Sequence, residues 1–155
     1  MRRTVLAMAV AAAFAVTMPA GFAHEAHMKF SAGEPGDPRK PARVVKVTML
    51  EKGKRMLFEP ATVEVKRGEQ VRFVLSNDGI YDHEFMLATP AENRKHAEAM
   101  RKNPEMEHDD PNAIRLSPFN SGELVWRFSK RGVFEYACMI PGHLEAGMRG
   151  KVVVK

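Results

Sequence analysis

Phe134-Glu-Tyr136-Ala-Cys138-Met-Ile-Pro-Gly-His143-Leu-Glu-Ala-Gly-Met148 reads as the end of a strand running into a tight loop. Phe134, Tyr136 and Cys138 fall on alternate positions, so they share one face of an extended chain. Pro141, Gly142 and Gly147 let the chain fold back before a last strand, Gly150 to Lys155. Cys138 is the only cysteine of the 155 residues. Thiolate and thioether favour a soft, redox-active ion, and imidazole accepts both copper oxidation states. A Cys-His-His set with a long axial Met is the arrangement used for copper electron transfer. Taken singly, His143 reads equally well as a loop histidine, Met148 as a core plug and Cys138 as a small buried hydrophobe. Their joint occurrence points to a metal site and demands a second histidine, upstream and facing inward. His83 meets that demand.

Alternation extends outward from this stretch. In Tyr81-Asp-His83-Glu-Phe85-Met-Leu87, His83 shares a face with Tyr81, Phe85 and Leu87, while Asp82 and Glu84 are expected to face away. Val45, Val47 and Met49; Val63 and Val65; Val71, Phe73 and Leu75; and Leu124, Trp126 and Phe128 repeat the period of two. Short alternating runs broken by Gly, Pro and Asn predict an all-β chain folded as an antiparallel sandwich or barrel. Pro90 to Lys102 departs from the pattern. It is rich in helix formers, with Thr89 as N-cap, Pro90 at the first helical position and Asn103-Pro104 as the stop, which predicts a helical excursion between strands. Pro141 has no N–H to offer the sulfur, so the N–H of Ile140 is the expected donor to Cys138.

The first residues read as an export signal. Arg2 and Arg3 precede the apolar run Val5 to Val16, and Gly21-Phe22-Ala23 is a small-x-small cleavage site. The run is shorter than the roughly 20 residues of a membrane span, so residues 1–23 are expected to be removed and the protein to reside in the periplasm. The Arg2-Arg3 pair leaves both general and twin-arginine export open. Residues 24–42, with Gly33-Glu-Pro-Gly-Asp-Pro-Arg-Lys-Pro, are expected to be a flexible leader. The domain proper runs from 43 to 155. An exported protein with one cysteine cannot use internal disulfides, which again favours a metal ligand. The net charge of +5 falls to +3 without Arg2 and Arg3. That mild balance suits an acidic partner protein and carries no nucleic-acid stripe.

Tyr136-Ala-Cys138-Met-Ile-Pro-Gly-His143-Leu-Glu-Ala-Gly-Met148-Arg-Gly-Lys-Val resembles the copper loop of cupredoxins, the azurin and plastocyanin superfamily. Phe58-Glu-Pro-Ala-Thr-Val-Glu-Val-Lys-Arg-Gly-Glu-Gln-Val-Arg-Phe is similar to the early strands of that family, and Asp82-His83-Glu-Phe85 to its first-histidine strand. The resemblance covers Arg43 to Lys155. It implies an eight-stranded Greek-key β-sandwich, with one type 1 copper held by His83, Cys138 and His143 as equatorial ligands and Met148 as the axial one. Two departures stand out. Azurin and plastocyanin carry Asn directly after the first histidine, where this chain has Glu84. The insertion around 89–118 is absent from simple plastocyanins. Both features look closer to the periplasmic cupredoxins associated with copper tolerance.

Two further groups of soft ligands are candidates for additional weak copper binding. His96 and Met100 share a helical face, with Met106 and His108 following. His24, the new N-terminus after cleavage, offers an amine and a ring beside His27 and Met28. Zn(II) fits the main ligand set as well. A saturated metal and only six histidines, none in a His-x-His pair, speak against an enzyme. The expected role is copper tolerance with one-electron chemistry. The alternative is a dedicated electron shuttle, and a copper-dependent oxidoreductase is a third, weaker candidate. The partner, a redox or copper-handling protein, would dock on a monomer near His143, against an apolar patch of Met139, Ile140, Pro141, Leu144 and Ala146.

Overall fold

The computed structural model describes residues 30–103 and 110–155. Alternating apolar residues produce the strands expected of them, and these stack as two five-stranded sheets. The first sheet has the order β1-β8-β5-β2-β3, built from β1 (Glu34–Pro35), β2 (Arg43–Lys52), β3 (Arg55–Glu59), β5 (Gln70–Asn77) and β8 (Ser121–Arg127). The second has the order β4-β10-β9-β6-β7, from β4 (Thr62–Val65), β6 (His83–Ala88), β7 (Ala113–Leu116), β9 (Gly132–Ala137) and β10 (Arg149–Val154). The facing sides bury Val45, Val47, Met49, Phe58, Phe73, Leu75, Phe85, Trp126, Phe128, Tyr136 and Val152 in one core. Burial alternates strictly along β5 and along most of β2 and β10, as a sheet with one wet face requires. Phe85 stacks on Tyr136 at 5.1 Å, and Phe58 meets both rings edge-on.

The architecture is the expected β-sandwich, with three differences in detail. Among the described residues ten strands form rather than eight, because the two-residue β1 and the four-residue β7 add themselves to sheet edges. The sheets are mixed rather than antiparallel throughout. β2 runs parallel to β5, and β4 parallel to β10, because the chain crosses to the other sheet between the paired strands. The third difference lies in residues 30–42, which are docked rather than flexible. Phe30 packs edge-on against Trp126 at 5.2 Å, and the indole N–H donates to Ala32 O at 3.2 Å. Glu34 and Pro35 pair with Arg127 and Trp126. Gln70 clamps the backbone of Asp37 from both sides, accepting from its N–H and donating to its carbonyl.

The helix forms where it was expected. α1 (Pro90–Lys102) starts at a capping box in which Thr89 and Glu92 satisfy each other's backbone N–H groups. Ala97 and Met100 bury against Met86, Ala137 and Met139, on the side of β6 and β9 away from the main core. This second small core explains why β6 is buried at every position instead of at alternate ones.

Candidate metal centre

His83 opens β6, Cys138 directly follows β9, and His143 and Met148 lie on the loop leading to β10. Hydrogen bonds within that loop draw its ends together. Cys138 N–H donates to Met148 O at 3.1 Å, Met148 N–H to His143 O at 3.0 Å, and Ala146 N–H to Gly142 O at 3.0 Å. Gly142 and Gly147 take φ of 90° and 96°, the left-handed conformation that glycine adopts without a Cβ penalty. Met56 N–H, on β3 of the other sheet, ties the loop to the sandwich through Ala146 O.

Three donor atoms converge. His83 Nδ1 lies 3.2 Å from His143 Nδ1, and Cys138 Sγ lies 3.4 Å from the same nitrogen. The ligand atoms of this trio all lie within 4.8 Å of one another, the one group of His, Cys and acidic side chains with metal spacing among the described residues. His83, Cys138 and Met148 are fully buried and His143 is partly exposed. Met148 belongs to the same apolar cluster as Cys138. Burial pushes the Cys138 thiol up to about 12, against the lowering effect of N–H donors from Glu84, at 3.3 Å, and Ile140. The thiol is therefore neutral until a cation takes its proton's place. Burial, and then the neighbouring His83, hold the His143 pKa below the ordinary imidazole value, so its nitrogen stays available as a ligand. One soft thiol and two imidazoles at this separation fit copper.

Several surroundings differ from the sequence reading. Ile140 N–H is joined at the sulfur by Glu84 N–H, a donor the alternation gave no reason to expect. Glu84 lies on the face of β6 opposite His83, as the alternation requires, but that face is not open to solvent. Glu84 is buried, and its Oε2 accepts Met139 N–H at 3.3 Å, next to the cluster that Met86 and Met139 form with α1. Tyr81 is 52% exposed instead of inward-facing, and its ring stands 6.4 Å from His143. Met139 lies in the helix-side core and is not part of the surface patch. Ile140, Leu144 and Ala146 are half-buried, Pro141 is exposed, and Ile80, 67% exposed, adds apolar surface on the neighbouring loop. Another side chain missed is Glu51, whose Oε1 lies 2.8 Å from His83 Nε2. Burial works to raise the Glu51 pKa, but bonds from Ile80 N–H, His83 and Tyr81 N–H outweigh it and hold the carboxyl below its usual range.

The other candidate ligands are not drawn into this centre. Met100 packs inward on Met86 and Met139. His96, one turn earlier, lines a cleft with Phe30, Met86, Glu92 and Asp110. His24, His27, Met28, Met106 and His108 lie outside the described residues.

Known proteins share this arrangement of strands and sequence. A copper-resistant cuproprotein CopI from Rubrivivax gelatinosus is 49% identical over 96% of this chain and 94% of its own length. A protein of the same name from Pseudomonas aeruginosa is 34% identical, over 79% of this chain and 82% of its own. Among solved structures, auracyanin B superimposes with a TM-score of 0.65 at 24% identity, covering 80% of this chain and 96% of that one, which shows a common fold. The family model for copper binding proteins of the plastocyanin/azurin type matches residues 44–155. With the strands, the converging donors and these similarities in agreement, the chain belongs to the plastocyanin/azurin family of copper binding proteins.

Proposed function

We propose that the protein would hold one copper ion through His83 Nδ1, Cys138 Sγ and His143 Nδ1, with Met148 as a fourth ligand, and that it serves copper tolerance in the periplasm. The observation that carries this is the convergence of the three donor atoms at the end of the sandwich. Copper bound there supplies a one-electron Cu(II)/Cu(I) couple. The chain's own residues prepare for it. Cys138 releases its proton, the N–H groups of Glu84 and Ile140 support the thiolate, and the apolar cluster keeps water from the sulfur. Four protein donors leave no open position for a substrate, which supports a binding or carrier role instead of catalysis. The apolar run Val5 to Val16 supports export, and the copper-resistant relatives support tolerance as its purpose.

Adding Cu(II) to the purified protein is expected to produce an intense visible thiolate-to-copper band that is missing from Cys138→Ser. A colourless wild-type protein would overturn the reading. In cells, deletion of the gene is expected to sensitise growth to copper while respiration stays normal.

A second reading, an electron shuttle to a partner protein, has one observation in its favour. His143 is partly exposed, with the exposed ring of Tyr81 6.4 Å away and exposed Ile80 and Pro141 on the two loops that carry these residues, apolar surface on which a partner could dock. Fast electron exchange with a cytochrome, together with unchanged copper tolerance on deletion, would make this the main role.

A further inference from the structure

The two ring nitrogens of His83 face different partners. Nδ1 points to His143, and Nε2 lies 2.8 Å from Glu51 Oε1. The ring is fully buried, and the Glu51 side chain is only 17% exposed. Glu51 comes from β2, in the sheet opposite β6, so the contact joins the two halves of the sandwich.

The loop after β5 is shaped around this carboxylate. Ile80 N–H donates to Glu51 Oε2 at 3.1 Å, and Tyr81 N–H adds a second backbone bond. A Cβ on Gly79 would come within 2.5 Å of both carboxylate oxygens. Asn77 fixes the loop in turn. Its Oδ1 accepts Gly79 N–H at 3.0 Å, and its Nδ2 donates to Tyr81 O at 2.8 Å and to Leu116 O at 2.9 Å. An ionised carboxylate only accepts hydrogen bonds. Nε2 therefore carries the ring proton, and the lone pair of Nδ1 is directed at the metal centre. A charged acceptor behind a ligating imidazole also makes the ring a stronger donor.

We infer that Glu51 is a positioning residue that fixes the Nδ1-ligating tautomer of His83 and, through its negative charge, favours Cu(II) over Cu(I) at the site. This rests on the reading of His83 as a copper ligand. A carboxylate in this place lowers the reduction potential of the centre relative to one whose histidine is held by a neutral group.

The test compares wild type, Glu51→Gln and Glu51→Asp in reduction potential and in the dissociation constants for Cu(II) and Cu(I). Glu51→Gln keeps an acceptor for Nε2–H and removes the charge. It is expected to stay coloured, to weaken Cu(II) binding relative to Cu(I) by about 10- to 100-fold, and to raise the potential by about 59 mV for each factor of ten. Glu51→Asp, which keeps the charge on a shorter arm, is expected to fall between the two. Coloured proteins of equal potential would overturn this inference alone, whereas a colourless wild type would overturn the ligand reading and this inference with it. NMR of the unaltered Cu(I) protein decides the matter even if Glu51→Gln fails to fold. The His83 Nε2–H proton is expected to be shifted downfield of an ordinary imidazole N–H by its bond to the carboxylate and to exchange slowly, and an ordinary, rapidly exchanging N–H would overturn this inference alone.

Discussion

At position 84 the backbone and the side chain act on the same loop. The N–H of Glu84 donates to Cys138 Sγ, and its Oε2 accepts the buried N–H of Met139, so one residue of β6 holds the two residues that start the metal loop. The side-chain bond has a cost if it is lost, because a buried donor without an acceptor is destabilising by about 1–3 kcal/mol. Glu84→Ala is expected to lower the stability of the metal-free protein by about that amount in urea titrations, and Glu84→Gln, which keeps an acceptor, by less. Equal stability of Glu84→Ala and wild type would mean that Met139 N–H finds another partner. That His83, Cys138 and His143 come together was legible from residue type and spacing, since ligand chemistry restricts which residues can serve. Glu84 and Glu51 were not. Their roles depend on which faces of β6 are covered and on which strand of the opposite sheet lies across from His83, and no local pattern encodes either fact.

Helix α1 shows what local sequence can fix at the scale of an element. Thr89, Pro90 and Glu92 specify its start through chemistry confined to one turn, and the structure forms the cap those residues dictate. Burial works to raise the Glu92 pKa, but the Ser31 hydroxyl together with the N–H and hydroxyl of Thr89 outweighs it, and the folded carboxyl titrates below the ordinary 4.5. A depressed folded pKa gives stability that is present above the unfolded value and lost as pH falls through the folded one. Glu92→Gln is therefore expected to be less stable than wild type at pH 7, with the difference shrinking as pH falls below 4.5. Thermal unfolding of the two proteins between pH 7 and pH 3 checks the sign, and a gap that widens in acid would refute it. The short edge strands were beyond such reading. Glu34 and Pro35 carry no strand signal of their own. They become β1 because Trp126 and Arg127, more than ninety positions later in the chain, offer a free edge and an indole N–H that needs an acceptor.

At the scale of the whole molecule, the metal centre draws on both sheets before any metal arrives. β6 and the end of β9 supply His83 and Cys138, β3 of the other sheet ties down Ala146, and β2 supplies Glu51 behind His83. The loop between Cys138 and Met148 is closed on itself by backbone bonds that need no cation. A site of this kind exists only in the folded state, because the unfolded chain separates His83 from Cys138 by more than fifty residues. Copper must then stabilise the fold by mass action. At free copper a hundredfold above the dissociation constant the gain is about 2.7 kcal/mol, which for a chain of this size corresponds to a rise in melting temperature on the order of 5–10 °C. The control is Cys138→Ala, which removes the thiolate while leaving the loop's backbone bonds in place. Its melting temperature is expected to be nearly independent of copper. A rise equal to that of the wild type would move the stabilising ion elsewhere, with the His96 cleft as the first place to look. The absence of any rise in a wild-type protein that turns blue would mean that the unfolded chain holds copper equally well, contrary to a site assembled from two sheets.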